Sequence, residues 1–140
     1  MRRKFFAILA IMVLLLSGCG NDYTTVFDEV NTVEGVTLTL KEDTLKPSKA
    51  TFLLTNASDQ DVAVDAIEYH LETLKKNEWQ ENVGTRVSEW KRSETEILPA
   101  GESIEKEVSW KGLCGTIHKG THRLILIVNN QPVACTFEKN

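Results

Sequence analysis

From Val33 onward, apolar residues recur at every second position in short runs, and turn-forming residues interrupt these runs. This alternation is typical of strands with one buried face, and the regular spacing of the turns favours an all-β sandwich or barrel. The segment 36–40 is the clearest case, because Val36, Leu38 and Leu40 share one face while threonines occupy the other. The pattern predicts about seven antiparallel strands and no internal repeat.

The other predicted strands differ in how clearly they are patterned. The segment 124–128 is continuously apolar, which indicates a central strand covered on both faces. The segment 67–74 also fits a helical stripe, but its alternation favours a strand. The segment 86–97 is polar and weakly patterned, so an edge strand and a long loop both remain open. The predicted strands are 36–40, 50–55, 67–74, a short strand at Trp79, 103–110, 124–128 and 133–137.

The strand 103–110 places Ile104, Val108 and Trp110 on one face, which we expect to be buried. Lys106 is the exception on that face, and we expect it at a rim where its ammonium group reaches water. Acidic residues at alternating positions nearby are interpreted as the solvated side of strands rather than as an acid–base pair. These residues are Glu94, Glu96, Glu105 and Glu107.

The beginning of the chain follows a different pattern. Met1 to Lys4 is basic, Phe5 to Leu16 is an uninterrupted apolar run, and Ser17 and Gly18 are small. As a helix this run spans about 18 Å, too short for about 30 Å of bilayer hydrocarbon. The layout therefore predicts a signal peptide over residues 1–18 rather than a transmembrane anchor.

The four residues that end this segment, Leu16-Ser17-Gly18-Cys19, resemble the lipobox of bacterial lipoproteins. The resemblance implies cleavage before Cys19 and diacylation of its sulfur, with palmitate as a typical acyl group. Two acyl chains hold a domain on the membrane far more firmly than one. We therefore expect a tether over residues 19–33 and one folded domain over 34–140, on the extracytoplasmic face of the cell membrane. An ordinary secretory signal with an incidental cysteine is the alternative.

Charge excludes one class of function. Three of the 16 basic residues fall within the first 18 positions, so the remaining 122 residues carry 13 bases against 20 acids, a formal charge of −7. A nucleic-acid partner is therefore not expected. The remaining length is sufficient to bury a core without a metal or a dense disulfide framework.

Two cysteines, Cys114 and Cys135, remain once Cys19 is set aside. Outside the cytosol they permit one disulfide, which would close a loop of about 20 residues and contribute about 3 kcal/mol in the chain-entropy model. Two separate buried thiols are the alternative, because the sequence does not give the Cα separation.

A metal site is the sharpest alternative chemistry. Cys114, His118 and His122, with Cys135 further along, provide thiolates and imidazoles that suit zinc or copper. Their four-residue spacing would align ligands on a helix, but nearby glycines and the strand pattern argue against a helix. We expect packed or solvated histidines and no metal. Because none of the common catalytic or nucleotide-binding motifs occurs, we also predict no catalytic residue and no cofactor.

Tryptophans are the remaining candidates for a contact surface that binds protein or sugar. Trp110 alternates with core residues, whereas Trp90 lies among charged and polar residues in the segment 88–92. We therefore expect Trp90 to be exposed and take it as the candidate binding residue.

Four ordered motifs between Val36 and Val128 resemble a bacterial immunoglobulin-like domain family. They are the early alternating strand, a strand that runs into Asn56-Ala57-Ser58, the turn Leu98-Pro99-Ala100-Gly101-Glu102, and Gly120 to Arg123 at the start of the long apolar strand. Two positions depart from the family, because His122 stands where a tyrosine is usual and Cys114 where an aromatic residue is common. The resemblance implies an immunoglobulin-like β-sandwich with a structural or binding role and no general catalytic residues. Asn56 is read as part of a turn rather than as a glycosylation acceptor.

These observations predict a lipid-anchored, non-enzymatic envelope protein whose partner is an unidentified envelope protein or ligand. A small ligand-binding or metal-binding lipoprotein that uses Cys114, His118, His122 and Cys135 is the alternative. An inhibitor or sensor domain for an envelope enzyme is a third hypothesis.

Overall fold

The computed structural model describes residues 24–82 and 94–140, which form two antiparallel β-sheets. The first sheet has the strand order β1-β2-β6, and the second has the order β4-β3-β7-β8 with β5 also paired to β3. A 3₁₀ turn, Glu42–Thr44, follows β1. The strands are β1 Val36–Leu40, β2 Lys49–Asn56, β3 Val62–Lys75, β4 Glu78–Glu81, β5 Thr95–Leu98, β6 Ser103–Ser109, β7 Gly120–Val128 and β8 Gln131–Lys139.

The core lies between the inner faces of the two sheets. Alternate residues of β2, including Phe52 and Leu54, are completely buried, while their neighbours face outward. Leu71 of β3 and Leu124 of β7 are equally buried on the opposing sheet. Trp110 closes one end of this core, where its indole N–H donates to the carbonyl oxygen of Pro47 at 2.9 Å. The predicted burial of Trp110 is therefore confirmed, as is the all-β sandwich.

The structure extends the strand prediction in two places. β3 begins at Val62 rather than at residue 67, because a bulge interrupts its alternation. Pairing with β7 passes from Val64 opposite Val128 directly to Tyr69 opposite Leu126. The weakly patterned stretch 86–97 provides the edge strand β5 at its end, while residues 83–93 lie outside the described part of the chain.

Asn56 joins the turns at the end of the sandwich where β2 finishes. Its buried side-chain amide donates to the carbonyl oxygens of Gln60, Leu98 and Pro99, and its side-chain oxygen accepts from the hydroxyl of Ser58 at 2.6 Å. The predicted turn at this motif is therefore confirmed, and Asn56 also binds the β5–β6 turn to it.

The segment 24–33 crosses the outer face of the second sheet from β4 to β8. The N–H of Thr25 donates to the Trp79 carbonyl at 3.0 Å, and the N–H of Asn31 donates to the Pro132 carbonyl at 2.9 Å. The Asn31 side-chain oxygen accepts from the N–H of Ala134 at 2.7 Å. The described part of the expected tether is thus packed on the sheet rather than free. Cys19 and the residues up to position 23 lie outside the described residues, as does the predicted signal peptide.

Within residues 24–82 and 94–140, no helix has both the length and the apolar character that crossing a membrane requires.

Candidate functional site

A buried ion pair lies on the outer face of the second sheet. Glu72 of β3 and Arg123 of β7 are direct cross-strand neighbours, and they are only 1% and 6% exposed. The Nε and Nη2 atoms of Arg123 lie 2.7 and 2.6 Å from Oε1 of Glu72. The guanidinium group also lies 4.4 Å from the centroid of the Trp79 ring and donates to the Thr25 hydroxyl. Each partner satisfies the other's charge in a place that water barely reaches.

His70 forms the second half of this outer-face network. Its Nδ1 lies 2.5 Å from Oε1 of Glu81, and its Nε2 lies 2.8 Å from Oε1 of Glu68. The imidazole ring and the Phe27 ring pack nearly perpendicular to each other, with their centroids 4.9 Å apart. Because Phe27 and Thr25 belong to the segment that crosses the sheet, that segment covers both halves of the network.

A cavity of about 620 Å³ opens between the end of β3 and the loop 111–119. Three of the four sequence-predicted metal-ligand candidates line it, namely Cys114, His118 and His122. The cavity is therefore lined by most of the candidate metal ligands. Their hydrogen bonds and burial show whether they could bind a metal.

Both ring nitrogens of His122 are engaged within the fold. Nε2 lies 2.7 Å from the His118 carbonyl oxygen, which can only accept, so Nε2 carries the proton. Nδ1 lies 2.9 Å from the Thr73 hydroxyl, and the ring packs against Phe137. Burial lowers the pKa of the imidazole. The His118 carbonyl and Glu138 raise this pKa and offset only part of the effect of burial. His122 is therefore a packed, hydrogen-bonded residue of the core edge.

Comparison with known proteins establishes the family. The model of the bacterial Ig-like domain matches residues 32–138. The chain belongs to this family. The search of curated proteins returned no match. The matched region begins after most of the segment 24–33, so residues 24–31 lie outside what the family model describes.

Several solved structures are also similar to this Ig-like chain. One of them is the Pseudomonas fluorescens alkylpurine DNA glycosylase AlkC bound to DNA containing an abasic site analog, with 15% sequence identity and a TM-score of 0.38. The match covers 74% of this chain and 30% of the glycosylase chain, so the present chain spans less than a third of that protein's length.

The disulfide that the sequence permits between Cys114 and Cys135 is not formed in the Ig-like domain, and both residues are free thiols. Cys135 lies on β8 and faces the backbone of Leu40 on β1, whereas Cys114 lies in the loop after β6 near Tyr69 on β3. The two thiols thus face different strands. Burial raises the pKa of both of them, which makes them poor nucleophiles near neutral pH.

The four residues proposed as metal ligands are not brought together as a set. Cys135 does not line the cavity that holds the other three. Within the described ranges, no group of three His, Cys, Asp or Glu side chains is arranged to hold a metal ion. The arrangement is that of packing residues around an open cavity.

The structure locates Lys106 and the four predicted acidic residues, but Trp90 and Cys19 are not among the residues that it describes. Lys106 pairs with Glu96 across the rim of the sandwich and keeps 25% of its side chain exposed, as expected. The four acidic residues interpreted as a solvated face are all exposed. Trp90 and Cys19 fall outside the described residues, so their proposed roles stay predictions.

The sequence pattern does not predict the outer-face network. His70 and Glu72 alternate with apolar residues, which is the pattern of a solvated face, and nothing local indicates that the segment 24–33 covers them. Arg123 stands out in the sequence only as part of the motif shared with the Ig-like family. Trp79 is the feature of the sequence that could have indicated a buried cation, because an aromatic residue on a short edge strand is a frequent partner for a cation.

Removal of Arg123 would leave the Glu72 carboxylate buried without its cation. We expect Arg123→Met to lower the free energy of unfolding by about 3–5 kcal/mol, measured by urea unfolding and far-ultraviolet circular dichroism. Lys41→Met is the matched control, because it removes the partner of Glu105 in an exposed pair and should change the free energy of unfolding far less. Equal losses in the two variants would contradict a buried pair.

His122 predicts how stability depends on pH. Its pKa is lowered in the folded state, so as the pH falls through about 6.5 the unfolded chain binds a proton that the folded chain does not. The free energy of unfolding should therefore fall between about pH 7 and pH 5. In His122→Asn this part of the slope should disappear, whereas the exposed His118→Asn should keep it. An unchanged slope in His122→Asn would refute the assignment.

Proposed function

We propose that this chain is a lipoprotein anchored through diacylated Cys19. Its Ig-like domain then stands on the extracytoplasmic face of the bacterial cell membrane. There it serves as a non-catalytic interaction or structural module of the envelope, with an unidentified envelope protein or ligand as its partner.

The lipid anchor is supported by the order of the N-terminal features. A basic start, an apolar run and Leu16-Ser17-Gly18-Cys19 match the lipoprotein layout. The chain then joins the fold at Thr24, which bridges to Gln80 of β4. Only four residues separate Cys19 from that point, so a lipid on Cys19 would hold the domain close to the membrane.

The non-catalytic role is supported by how the reactive side chains are used. His122 and His70 each have both ring nitrogens engaged by groups of the fold. Burial raises the pKa of Cys114 and Cys135. This commitment of the imidazoles and thiols to packing is the observation that carries the proposal, and it agrees with membership of an Ig-like family.

The anchor is tested by the intact mass of the protein isolated from the membranes of a bacterial host that processes lipoproteins. We expect a chain that begins at Cys19 and carries a diacylglyceryl group, and we expect Cys19→Ser to lose both the lipid and the cleavage before residue 19. Cys114→Ser is the control and should retain both. A membrane-extracted chain without lipid, or one that still carries residues 1–18, would refute the proposal.

A further inference from the structure

Lysines are gathered at one end of the sandwich. Of the nine lysines in the described residues, all but Lys106 lie in the turns or at the strand ends next to the β3–β4 hairpin and the β6–β7 loop. Seven of them are exposed and Lys139 is half-buried. We call this surface the lysine end; it comprises Lys41, Lys46, Lys49, Lys75, Lys76, Lys111, Lys119 and Lys139.

Six carboxylates lie among these eight lysines, which leaves a formal charge of +2 at this end. Lys41 pairs with Glu105 at 2.6 Å and Lys49 approaches Glu107 at 3.9 Å. The other carboxylates in these turns and strand ends are Glu42, Asp43, Glu78 and Glu138. Five exposed lysines form no ion pair with any described residue, namely Lys46, Lys75, Lys76, Lys111 and Lys119.

The opposite end of the sandwich has the reverse charge. Its turns are 33–35, 57–61, 99–102 and 129–130, and they contain acids but no lysine or arginine. We call this surface the acidic end; its acids are Glu34, Asp59, Asp61 and Glu102. The nine-residue strand β7 runs from one end to the other, a length of roughly 27 Å.

The N-terminal segment joins the fold near the lysine end. Thr24 bridges to Gln80, which pairs with Thr73, two residues before Lys75 at the end of β3. Five residue steps separate Cys19 from Thr24, so a fully extended chain reaches at most about 18 Å. A lipid on Cys19 would therefore hold this end near the bilayer.

We propose that the lysine end is a membrane-docking surface that binds anionic phospholipid headgroups beside the lipid anchor. This inference rests on the proposed anchoring through Cys19 and adds the orientation of the domain. The lysine end then faces the bilayer, and the acidic end points away from it.

Electrostatics explains why this orientation is favoured although the chain is acidic as a whole. Each lysine near an anionic surface gains about 1 kcal/mol, which is roughly a fivefold change in an equilibrium. The acidic end, roughly 27 Å away, is more than three Debye lengths from the surface at physiological salt, so its repulsion is largely screened. The inverted orientation would place unbalanced carboxylates against the same headgroups.

The test is a lysine acetylation footprint of the lipidated chain, read by mass spectrometry. The chain is reconstituted into vesicles of phosphatidylcholine alone or of phosphatidylcholine with phosphatidylglycerol. In the anionic vesicles we expect Lys75, Lys76 and Lys119 to react about fivefold more slowly than in the neutral ones. Lys106 should react equally in both, and high salt should remove the difference. Equal reactivity of the lysine end in both kinds of vesicle would overturn the proposal.

Two matched variants separate local charge from net charge. Lys75→Gln/Lys76→Gln/Lys119→Gln removes three positive charges at the lysine end, and protection of Lys46 and Lys111 should weaken. Ala57→Glu/Gln60→Glu/Ala100→Glu adds three negative charges at exposed positions of the acidic end, and that protection should remain. The same loss in both variants would indicate an effect of net charge alone and would overturn a docking surface.

Failure of the anchor and failure of the surface give different results. A chain that does not float with neutral vesicles lacks the lipid anchor. The surface is then tested with a Cys19→Ser chain that lacks residues 1–18, mixed with phosphatidylglycerol vesicles at low salt. Flotation that is lost in the triple glutamine variant supports the docking surface, and no flotation overturns it.

Discussion

The buried Arg123–Glu72 pair is the constraint around which the outer face of the second sheet is built. A buried ion pair is tolerated only when its remaining hydrogen-bonding capacity is satisfied and water is kept away. The guanidinium group lies over the Trp79 ring and donates a hydrogen bond to the Thr25 hydroxyl, and Phe27 packs on the neighbouring His70. The segment 24–33 is therefore required by the sheet beneath it, although most of it precedes the residues that the family model matches.

The packing of the segment 24–33 on the sheet limits how the domain can be oriented on a membrane. Because the chain is fixed from Thr24 onward, little of the segment between Cys19 and the fold is left to act as a spacer. An anchor at Cys19 would then determine which end of the sandwich meets the bilayer. The lysine end lies where the chain joins the fold, so a covalent constraint and an electrostatic one favour the same orientation. The interior of the domain provides packing, and we infer that its surfaces carry the function.

The sequence predicts the fold well where one pattern decides the outcome. The predicted strand 36–40 agrees with β1 at both ends, and Trp110 is buried as predicted. In both cases the residues alternate, and the apolar face of an alternating strand in a sandwich must face the core. The start of β3 was missed because its bulge breaks the alternation between Val64 and Tyr69. The candidate site was predicted less well, since burial of His70 and Glu72 depends on Thr25 and Phe27, which lie more than 40 positions away. The separation of lysines and acids to opposite ends of the sandwich was also not predictable. The lysines are scattered along the sequence and come close together only in the folded chain.

The segment 24–33 is an ordered part of the domain. Amide hydrogen exchange of the chain that begins at Cys19 tests it most directly, because the N–H groups of Thr25 and Asn31 donate to Trp79 and Pro132. We expect these two amides to exchange far more slowly than those of an unstructured peptide, with protection near that of β4 and β8. Exchange at the rate of an unstructured peptide would show that the segment is a free tether and would contradict the account.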